Sequence, residues 1–421
     1  MKKLLAISDS PKVTTGFGNV AAQLYNGMNQ AFEFDALGIL DFEWDLKGEL
    51  DYPFIPVKPT DPLGLAESVD TILRRKPDIV WYMTAPGDSI KYYVVFDEVR
   101  RKHNLNFKTV AYVPIEGFPS SILVEEGFNT MLQNGDHIVT WSKSSQKIIK
   151  QEMNIDVPFI YFGADHAPFK PYSAEMKAQI RKALKLEDKF VCISVGVNKR
   201  AKGFDKLIYT AAELKKRGVK DIIFYCHTNP ENPTMQGYRL KRLAARYNVL
   251  DYFIWKPEIN INALNEWTGI RRGGDGVLPE LLDDSFQSRL EYLSQLSFID
   301  RLNMADIYVD ASQVEGWGLP VGEAMACGIP VLMVNDYHVR SEVFGPGAYM
   351  YPPTPVDQWD TWHTGARLVG IDPVVLADHI IKLKEAPEYR ATLAKLGYDH
   401  IQQFTWDKAR KEMVDYLDGI K

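Results

Sequence analysis

Glu315-Gly-Trp-Gly-Leu-Pro-Val-Gly-Glu323, continued by Ala-Met-Ala-Cys-Gly-Ile-Pro-Val331, decides how the rest of the chain is read. Two carboxylates eight residues apart bracket a Gly-x-Gly turn that runs into a helix start. The spacing predicts Pro320 at the first helical position, where a missing N–H costs nothing and φ is already set. Glu323 then falls in the first helical turn and Glu315 in the loop before it. The unpaired amides of such a turn converge on one spot, and the positive end of the helix dipole reinforces them. That arrangement holds an anion, most often a phosphate. The flanking carboxylates are acceptors suited to sugar hydroxyls. Phosphate and sugar hydroxyls in one place predict a nucleotide-sugar site.

Outward from this stretch, short apolar runs alternate with helical patterns, the mark of parallel α/β units. LLAIS, FDALGIL, IVWYMT, TVAYVPI, HIVTWS and FIYF read as strands of a first sheet, and FVCISVG, IIFYCH, YFIWK, IYVDAS and PVLMV as strands of a second. Amphipathic stretches at 18–30, 63–75, 89–103, 175–185, 204–217 and 236–247 read as the helices between them, with a C-terminal helix at about 406–419. At 421 residues, two domains with separate cores are expected. Residues 259–290 break the alternation, with glycines at 273, 274 and 276. Two readings stay open there: a surface insertion, or a long loop over a cleft or in an oligomer contact.

Four segments in order resemble one family. EGWGLPVGEAMACGIPVL (315–332) is similar to the E-x7-E signature of retaining glycosyltransferases of family 4. VGVNKRAKGFDKLI (195–208) resembles the opening of that family's donor domain, LNMADIYVDAS (302–312) the element before the acidic motif, and YFGADHAPFKP (161–171) the interdomain hinge. The likeness runs from about residue 140 to 350, with a weaker echo at the N-terminus. It implies a GT-B fold: an N-terminal Rossmann-like domain for the acceptor (1–166), a C-terminal one for the nucleotide-sugar (167–395), and a helix crossing back (396–421). Two departures stand out. Phe162 takes the place of the usual hinge His, and the usual Gly-Arg pair reads Gly196-Val197.

The resemblance also implies roles. Glu315 would contact hydroxyls of the transferred sugar and Glu323 would hold the ribose diol. The backbone of Gly316, Trp317, Gly318 and Leu319 would meet sugar or diphosphate. Trp317 is equally consistent with a wall for the sugar or with packing. The cations of the Gly196 segment, Lys199, Arg200 and Lys202, would face the diphosphate, and which of them touches it stays open. Fixed cations there stabilise a leaving diphosphate more in the transition state than in the ground state. They can replace a divalent metal, and the chain has no Asp-x-Asp site; Asp283-Asp284 reads as a solvated pair. No cofactor is expected; the resemblance implies retention of configuration, and since no residue stands out as a covalent nucleophile, front-face substitution is expected.

GFGNVA, following Thr15, fits G-x-G-x-x-A and alone would suggest a dinucleotide turn with Asp35 or Asp41 on a ribose. Asp9 to Thr15 intervene between strand and first glycine, which is the wrong spacing for that turn. A glycine-rich loop reaching toward the donor through Gly16 and Gly18 fits better, with structural glycines as the other reading. Glu116, after a strand, stands at the expected cleft edge, either on sugar hydroxyls of the acceptor side or as an ordinary loop residue. Ser142 reads as a helix cap. His227 ends a strand, where it either approaches the donor or is simply satisfied, and Glu342 has no assigned role.

The net charge of −6 is uneven. Residues 1–170 hold 17 basic and 22 acidic side chains, and the rest hold 32 and 33. An acidic acceptor half argues against a polyanionic partner, because nucleic-acid affinity rests largely on phosphate neutralisation. Chains with a TGFG-type loop nevertheless occur among viral and archaeal glycosyltransferases, so a phage-type enzyme acting on 5-hydroxymethylated pyrimidines in DNA is one alternative. A glycan, lipid-linked sugar or small molecule is the main expectation for the acceptor, and UDP-hexose, such as UDP-glucose, for the donor. A non-catalytic nucleotide-sugar-binding protein is the alternative of another class. Cys192, Cys226 and Cys327 show no metal-ligand spacing and read as core residues in a reducing cytoplasm. The start, MKKLLAISDS, reads as a first strand rather than a signal peptide, and no apolar run approaches the ~18 residues of a spanning helix.

Overall fold

The apolar runs form two parallel sheets. The computed structural model describes all residues except 14, 40–49, 59, 118–121, 232–236, 256–292, 294 and 356–367. The first sheet contains β1 (Lys3–Asp9), β2 (Glu33–Ile39), β3 (Phe54–Pro56), β4 (Ile79–Met83), β5 (Lys108–Val113) and β6 (His137–Thr140), in the order β3-β2-β1-β4-β5-β6. The second contains β7 (Phe190–Val195), β8 (Ile222–His227), β9 (Phe253–Trp255), β10 (Ile307–Asp310), β11 (Val331–Val334) and β12 (Tyr349–Tyr351), in the order β12-β11-β10-β7-β8-β9. Counted within each half, both orders are 3-2-1-4-5-6, the doubly wound Rossmann arrangement. Its strands are covered on both faces, which is why they read as unbroken apolar runs; all five residues of β4 are buried.

In such a sheet, ligands bind beyond the carboxyl ends of the strands where the order reverses. The reversal falls between β1 and β4 in the first half, and between β7 and β10 in the second. Four loops therefore matter most, and the sequence-predicted site residues lie on or beside two that follow β7 and β10 and one that follows β1, except Glu116, which follows β5.

Each sheet has an outer apolar core of its own, one around Phe96 and Phe128 and the other around Leu207 and Leu376. A third cluster runs through both halves. Phe162 is at its centre, 2% exposed. Its ring lies 4.4 Å from Trp141, 5.3 Å from Trp317, 5.6 Å from Tyr112 and 5.9 Å from Trp406, measured between centroids. Phenylalanine at the hinge suits a position enclosed on several sides by aromatic rings. The C-terminal helix Trp406–Asp418 packs against the first half, where Arg410 donates to the Gln23 carbonyl at 3.3 and 3.2 Å. Gly163 allows this approach, because a Cβ there would stand 2.2 Å from the Trp406 nitrogen.

The α/β expectation holds, with local corrections. FIYF is not a strand; only Phe159 bridges Thr140, and Tyr161 and Phe162 turn into the aromatic cluster instead. The three-residue edge strands β3 and β12 were not anticipated. The expected helix at 18–30 runs Gly16–Tyr25 and is followed by a short turn at Met28–Gln30, and that at 236–247 contracts to Leu240–Arg246. The 259–290 segment, Asp41 and the Asp283-Asp284 pair lie outside the described residues. No helix among the described residues is long and apolar enough to cross a membrane.

Candidate functional site

The loop after β7 and the loop after β10 are joined by backbone first. Gln313 N–H donates to the Ala201 carbonyl at 2.7 Å. Gly203, at φ 65°, opens the helix Phe204–Lys216, and a Cβ on it would meet the Ala311 carbonyl oxygen at 1.9 Å. No other residue type fits that left-handed, crowded position. The fit brings the 3-10 turn Arg200–Lys202 beside the acidic motif, and Lys202 Nζ donates to Glu315 Oε1. The same oxygen accepts the Ser312 hydroxyl at 3.0 Å. Lys199 and Arg200 share the loop with Lys202. Arg200 is exposed, and the Lys199 charge bears on Asp9 of the first half.

The acidic motif then enters the helix Leu319–Ala326, whose N-cap is Gly318 at φ 100°. This shifts the sequence-based numbering. Pro320 is the second helical residue rather than the first, and Glu323 is the fifth, so the first turn carries no acid. The helix begins one residue earlier than the Pro-at-N1 preference suggested, because Gly318, at a left-handed φ open to glycine, serves as the N-cap. Burial, reinforced by the charge of Asp165, pushes the Glu323 carboxyl up to about 8. Asp165 in turn accepts Gln23 Nε2 at 3.2 Å, so this end of the motif also reaches the first half.

Gly316 and Gly318 are buried, and Leu319 is partly buried against the shared core. A Cβ on Gly316 would stand 3.1 Å from Glu116 Oε1, Pro114 Cβ and Trp141 Cζ3. Glu116, the weakest candidate in the sequence, is therefore brought to the motif from across the cleft. Trp317 is 4% exposed, and its ring sits among Tyr161, Phe162, Phe344 and Phe404. Its side chain packs within this aromatic cluster.

The two glycines after β1 part company. Thr15 caps the helix Gly16–Tyr25: its Oγ1 accepts Gly18 N–H at 3.0 Å and donates to Asp9 Oδ2 at 2.5 Å. Gly18 is buried, and a Cβ on it would stand 2.6 Å from the Val13 carbonyl oxygen and 2.7 Å from that of Ser10. It is a packing glycine. Gly16 is exposed, with nothing within 4 Å of an added Cβ. Of the two, only Gly16 faces open space. Desolvation raises the Asp9 carboxyl above its ordinary value, against the Thr15 hydrogen bond and the Lys199 charge.

Several participants carried no motif. Arg340 is fully buried, with Nε 3.0 Å from Asp336 Oδ2 and Nη1 bonded to Asp310 Oδ2. Burial alone would lower its pKa; the Asp310 and Asp336 charges hold it above the ordinary arginine value. The signal was available: acids ending or following two apolar strands need a cation, and Arg340 stands four residues after Asp336. Glu342 accepts Lys143 N–H at 3.1 Å, Ser144 N–H and the Tyr161 hydroxyl. It thus binds the amino end of the helix Lys143–Met153, which Ser142 caps as expected, and ties the second half to the first. His227 ends β8 with its ring 4.8 Å from Phe298. The three cysteines are buried and free, and no group of three or more His, Cys, Asp or Glu among the described residues could hold a metal.

Known proteins can be set beside this geometry. Residues 287–400 match the family described as Glycosyl transferases group 1, a segment that contains both glutamates of the motif. A curated relative, O-antigen chain mannosyltransferase B of Escherichia coli, is 24% identical over 154 residues, which cover 35% of this chain. The match likewise spans only 35% of that relative's length. Among solved structures, sucrose-phosphate synthase from Thermosynechococcus elongatus aligns with a TM-score of 0.70 at 16% identity, covering 99% of this chain and 98% of its own. Anabaena HepE, crystallised with UDP-glucose, aligns at 0.67 and 14% identity, covering 99% and 100%. Similarity along the whole length, with two sheets of one strand order, makes the fold GT-B.

Proposed function

We propose that the protein is a retaining glycosyltransferase that moves a sugar from a nucleotide-sugar donor to a hydroxyl acceptor. The observation that carries this reading is the meeting of Lys202 and Glu315 on adjoining loops, with Glu116 and Trp141 of the other half against Gly316 beside them. A cation next to a carboxylate, at the switch point of a Rossmann half, suits a ligand with both phosphate and hydroxyl groups. The family match over 287–400 and the likeness to a structure holding UDP-glucose support the same reading.

In the mechanism we infer, the diphosphate lies along the 199–203 loop and the amino end of the helix Leu319–Ala326. As the glycosidic bond breaks, negative charge grows on the leaving diphosphate. Lys202, with Lys199 and Arg200 in the same loop, stabilises it in a site that excludes water. Glu315 holds hydroxyls of the transferred sugar and orients Lys202 toward the phosphate. Glu323 binds the ribose diol; with its carboxyl up at about 8, it is mostly protonated at neutral pH and can donate as well as accept. Backbone amides of Gly316, Trp317, Gly318 and Leu319 complete the cradle, and Gly16 lets the first half approach. The acceptor hydroxyl enters on the Glu116 side and attacks from the face the nucleotide leaves, passing its proton to a donor phosphate oxygen. Charge neutralisation by the three cations makes turnover independent of a divalent metal. UDP-hexose is the donor we favour, and the acceptor is a glycan, a lipid-linked sugar or a small molecule.

Nucleotide release is the test. UDP-, GDP- and ADP-sugars are each presented alone, with simple sugars, and with unmodified and hydroxymethylated DNA, in buffer containing EDTA. Release from a UDP-hexose that a sugar acceptor stimulates is the expected result. Stimulation by hydroxymethylated DNA alone would redirect the acceptor to nucleic acid. Tight binding of a donor with no release in any mixture would make the protein a nucleotide-sugar binder.

A further inference from the structure

Glu315 has two donors, and only Lys202 belongs to the cation loop. The other is Ser312, 4% exposed, whose hydroxyl reaches the same Oε1 at 3.0 Å. Ser312 is itself fixed from below. Its backbone N–H donates to Asp310 Oδ1 at 3.0 Å, and the other Asp310 oxygen accepts Arg340 Nη1. Arg340 Nε holds Asp336 Oδ2 at 3.0 Å, while Asp336 Oδ1 accepts the N–H groups of His338 and Ser341, both at 3.0 Å. A continuous polar chain thus runs from the loop after β11, through the interior, to the carboxylate at the cleft.

The inner members do not face the cleft. Arg340 is 0% exposed, Asp336 4% and Asp310 5%. The hydrogen-bonded route from them toward a ligand passes through Ser312 and Glu315. The chain also decides which oxygen Glu315 presents, because Lys202 and Ser312 both bond Oε1.

We propose that Ser312 and Arg340 are positioning residues for sugar recognition: the Asp336–Arg340–Asp310 group anchors Ser312, and Ser312 with Lys202 loads Glu315 Oε1 so that Oε2 accepts a hydroxyl of the donor sugar. This rests on the reading of Glu315 as the sugar contact. It makes a prediction that a merely structural network does not. Loss of Ser312 should erase the preference for a sugar nucleotide over its bare diphosphate, and leave the diphosphate's own affinity unchanged.

The experiment is calorimetric titration of the full chain with UDP-glucose against UDP, and GDP-mannose against GDP. Wild type should bind one sugar nucleotide more tightly than its diphosphate. Ser312→Ala keeps the backbone N–H that Asp310 needs, so it should fold like wild type and lose that preference by roughly tenfold, the worth of one hydrogen bond to a charged group. Ser312→Thr, which keeps the hydroxyl, should restore it. Arg340→Lys, if folded, should behave as Ser312→Ala does. Glu315→Gln is the control. If it leaves the preference intact, or if wild type shows none, the sugar-contact reading falls and this inference with it. If Glu315→Gln abolishes the preference while Ser312→Ala keeps it within about twofold, the inference alone is overturned. A folded Arg340→Lys that keeps the preference removes Arg340 from the chain and confines positioning to Ser312.

Discussion

The turn after β1 and the turn after β7 occupy the same topological place in their halves, and they are built to opposite ends. In the first, Thr15 closes the helix on itself, hydrogen-bonding Gly18 above and Asp9 below, and Gly18 is pressed on two carbonyls. Lys12 of that turn lies 5.8 Å from the Phe54 ring centroid. In the second there is no side-chain cap: Gly203 takes that place, and Lys202 reaches out to the neighbouring loop. Strand order nominates both turns as ligand sites. What separates them is whether the polar groups of the turn are consumed internally. The glycine-rich turn spends its Thr15 side chain on its own Gly18 N–H and Asp9, and the basic turn sends its Lys202 side chain to the neighbouring loop.

The largest effect expected from this contrast is on turnover. Lys202→Ala should lower kcat by roughly 100- to 1,000-fold, the range for losing one preorganised charge-stabilising donor, with little change in melting temperature. Lys12→Ala, the matched change in the other turn, should be nearly silent. Equal effects in steady-state assays would erase the distinction. The glycines come next, by urea denaturation. Gly203→Ala adds both backbone strain and a collision with the Ala311 carbonyl, and should cost about 3 kcal/mol or more. Gly18→Ala, crowded at 2.6 Å but at an ordinary φ, should cost about 2 kcal/mol. Gly16→Ala, with open space around it, should stay within about 0.5 kcal/mol while raising KM for the donor. If Gly16 and Gly18 cost the same, the first turn is not closed in the way described.

A separate effect concerns pH. Glu323 has a folded-state pKa of about 8 against an ordinary value of 4.5, so between those limits the folded chain binds more protons than the unfolded one. Its contribution is fully present below pH 4.5 and is lost as pH rises through 8. Glu323→Gln, neutral throughout, should therefore gain in melting temperature relative to wild type on going from pH 5 to pH 8. A gap that stays constant across that range would place Glu323 in a solvated setting.

Much of this was legible in the residues, for identifiable reasons. Interior strands of a parallel sheet must be apolar on both faces, so LLAIS, IVWYMT and IYVDAS announced themselves. FIP and YMY did not, because an edge strand is paired on one side only and needs no long run. FIYF misled for the converse reason: its aromatic residues serve a cluster between the halves rather than a sheet. At the site, Glu315 and Lys202 were visible through spacing and charge, but their contact depends on Gly203, a glycine that sequence patterning ranks no higher than its neighbours. Gly18 matched a phosphate-loop pattern yet proved to be held by carbonyls that lie before it in the chain. Arg340 belonged to no motif and Ser312, though it ends the LNMADIYVDAS segment, carried no assigned role, because a network assembled from the ends of three strands has no local spacing to betray it.

The aromatic cluster around Phe162 has a consequence for how the molecule can be taken apart. Trp141 belongs to the first half, Trp317 to the second and Trp406 to the returning helix, and all three cover the same ring. A chain cut after residue 166 would leave the rings of each fragment bare to water. Such fragments are poor candidates for separate expression, and the intact chain should melt in one cooperative step rather than two. Any opening of the cleft has to pivot about this seam, as two leaves of a book turn about a glued spine.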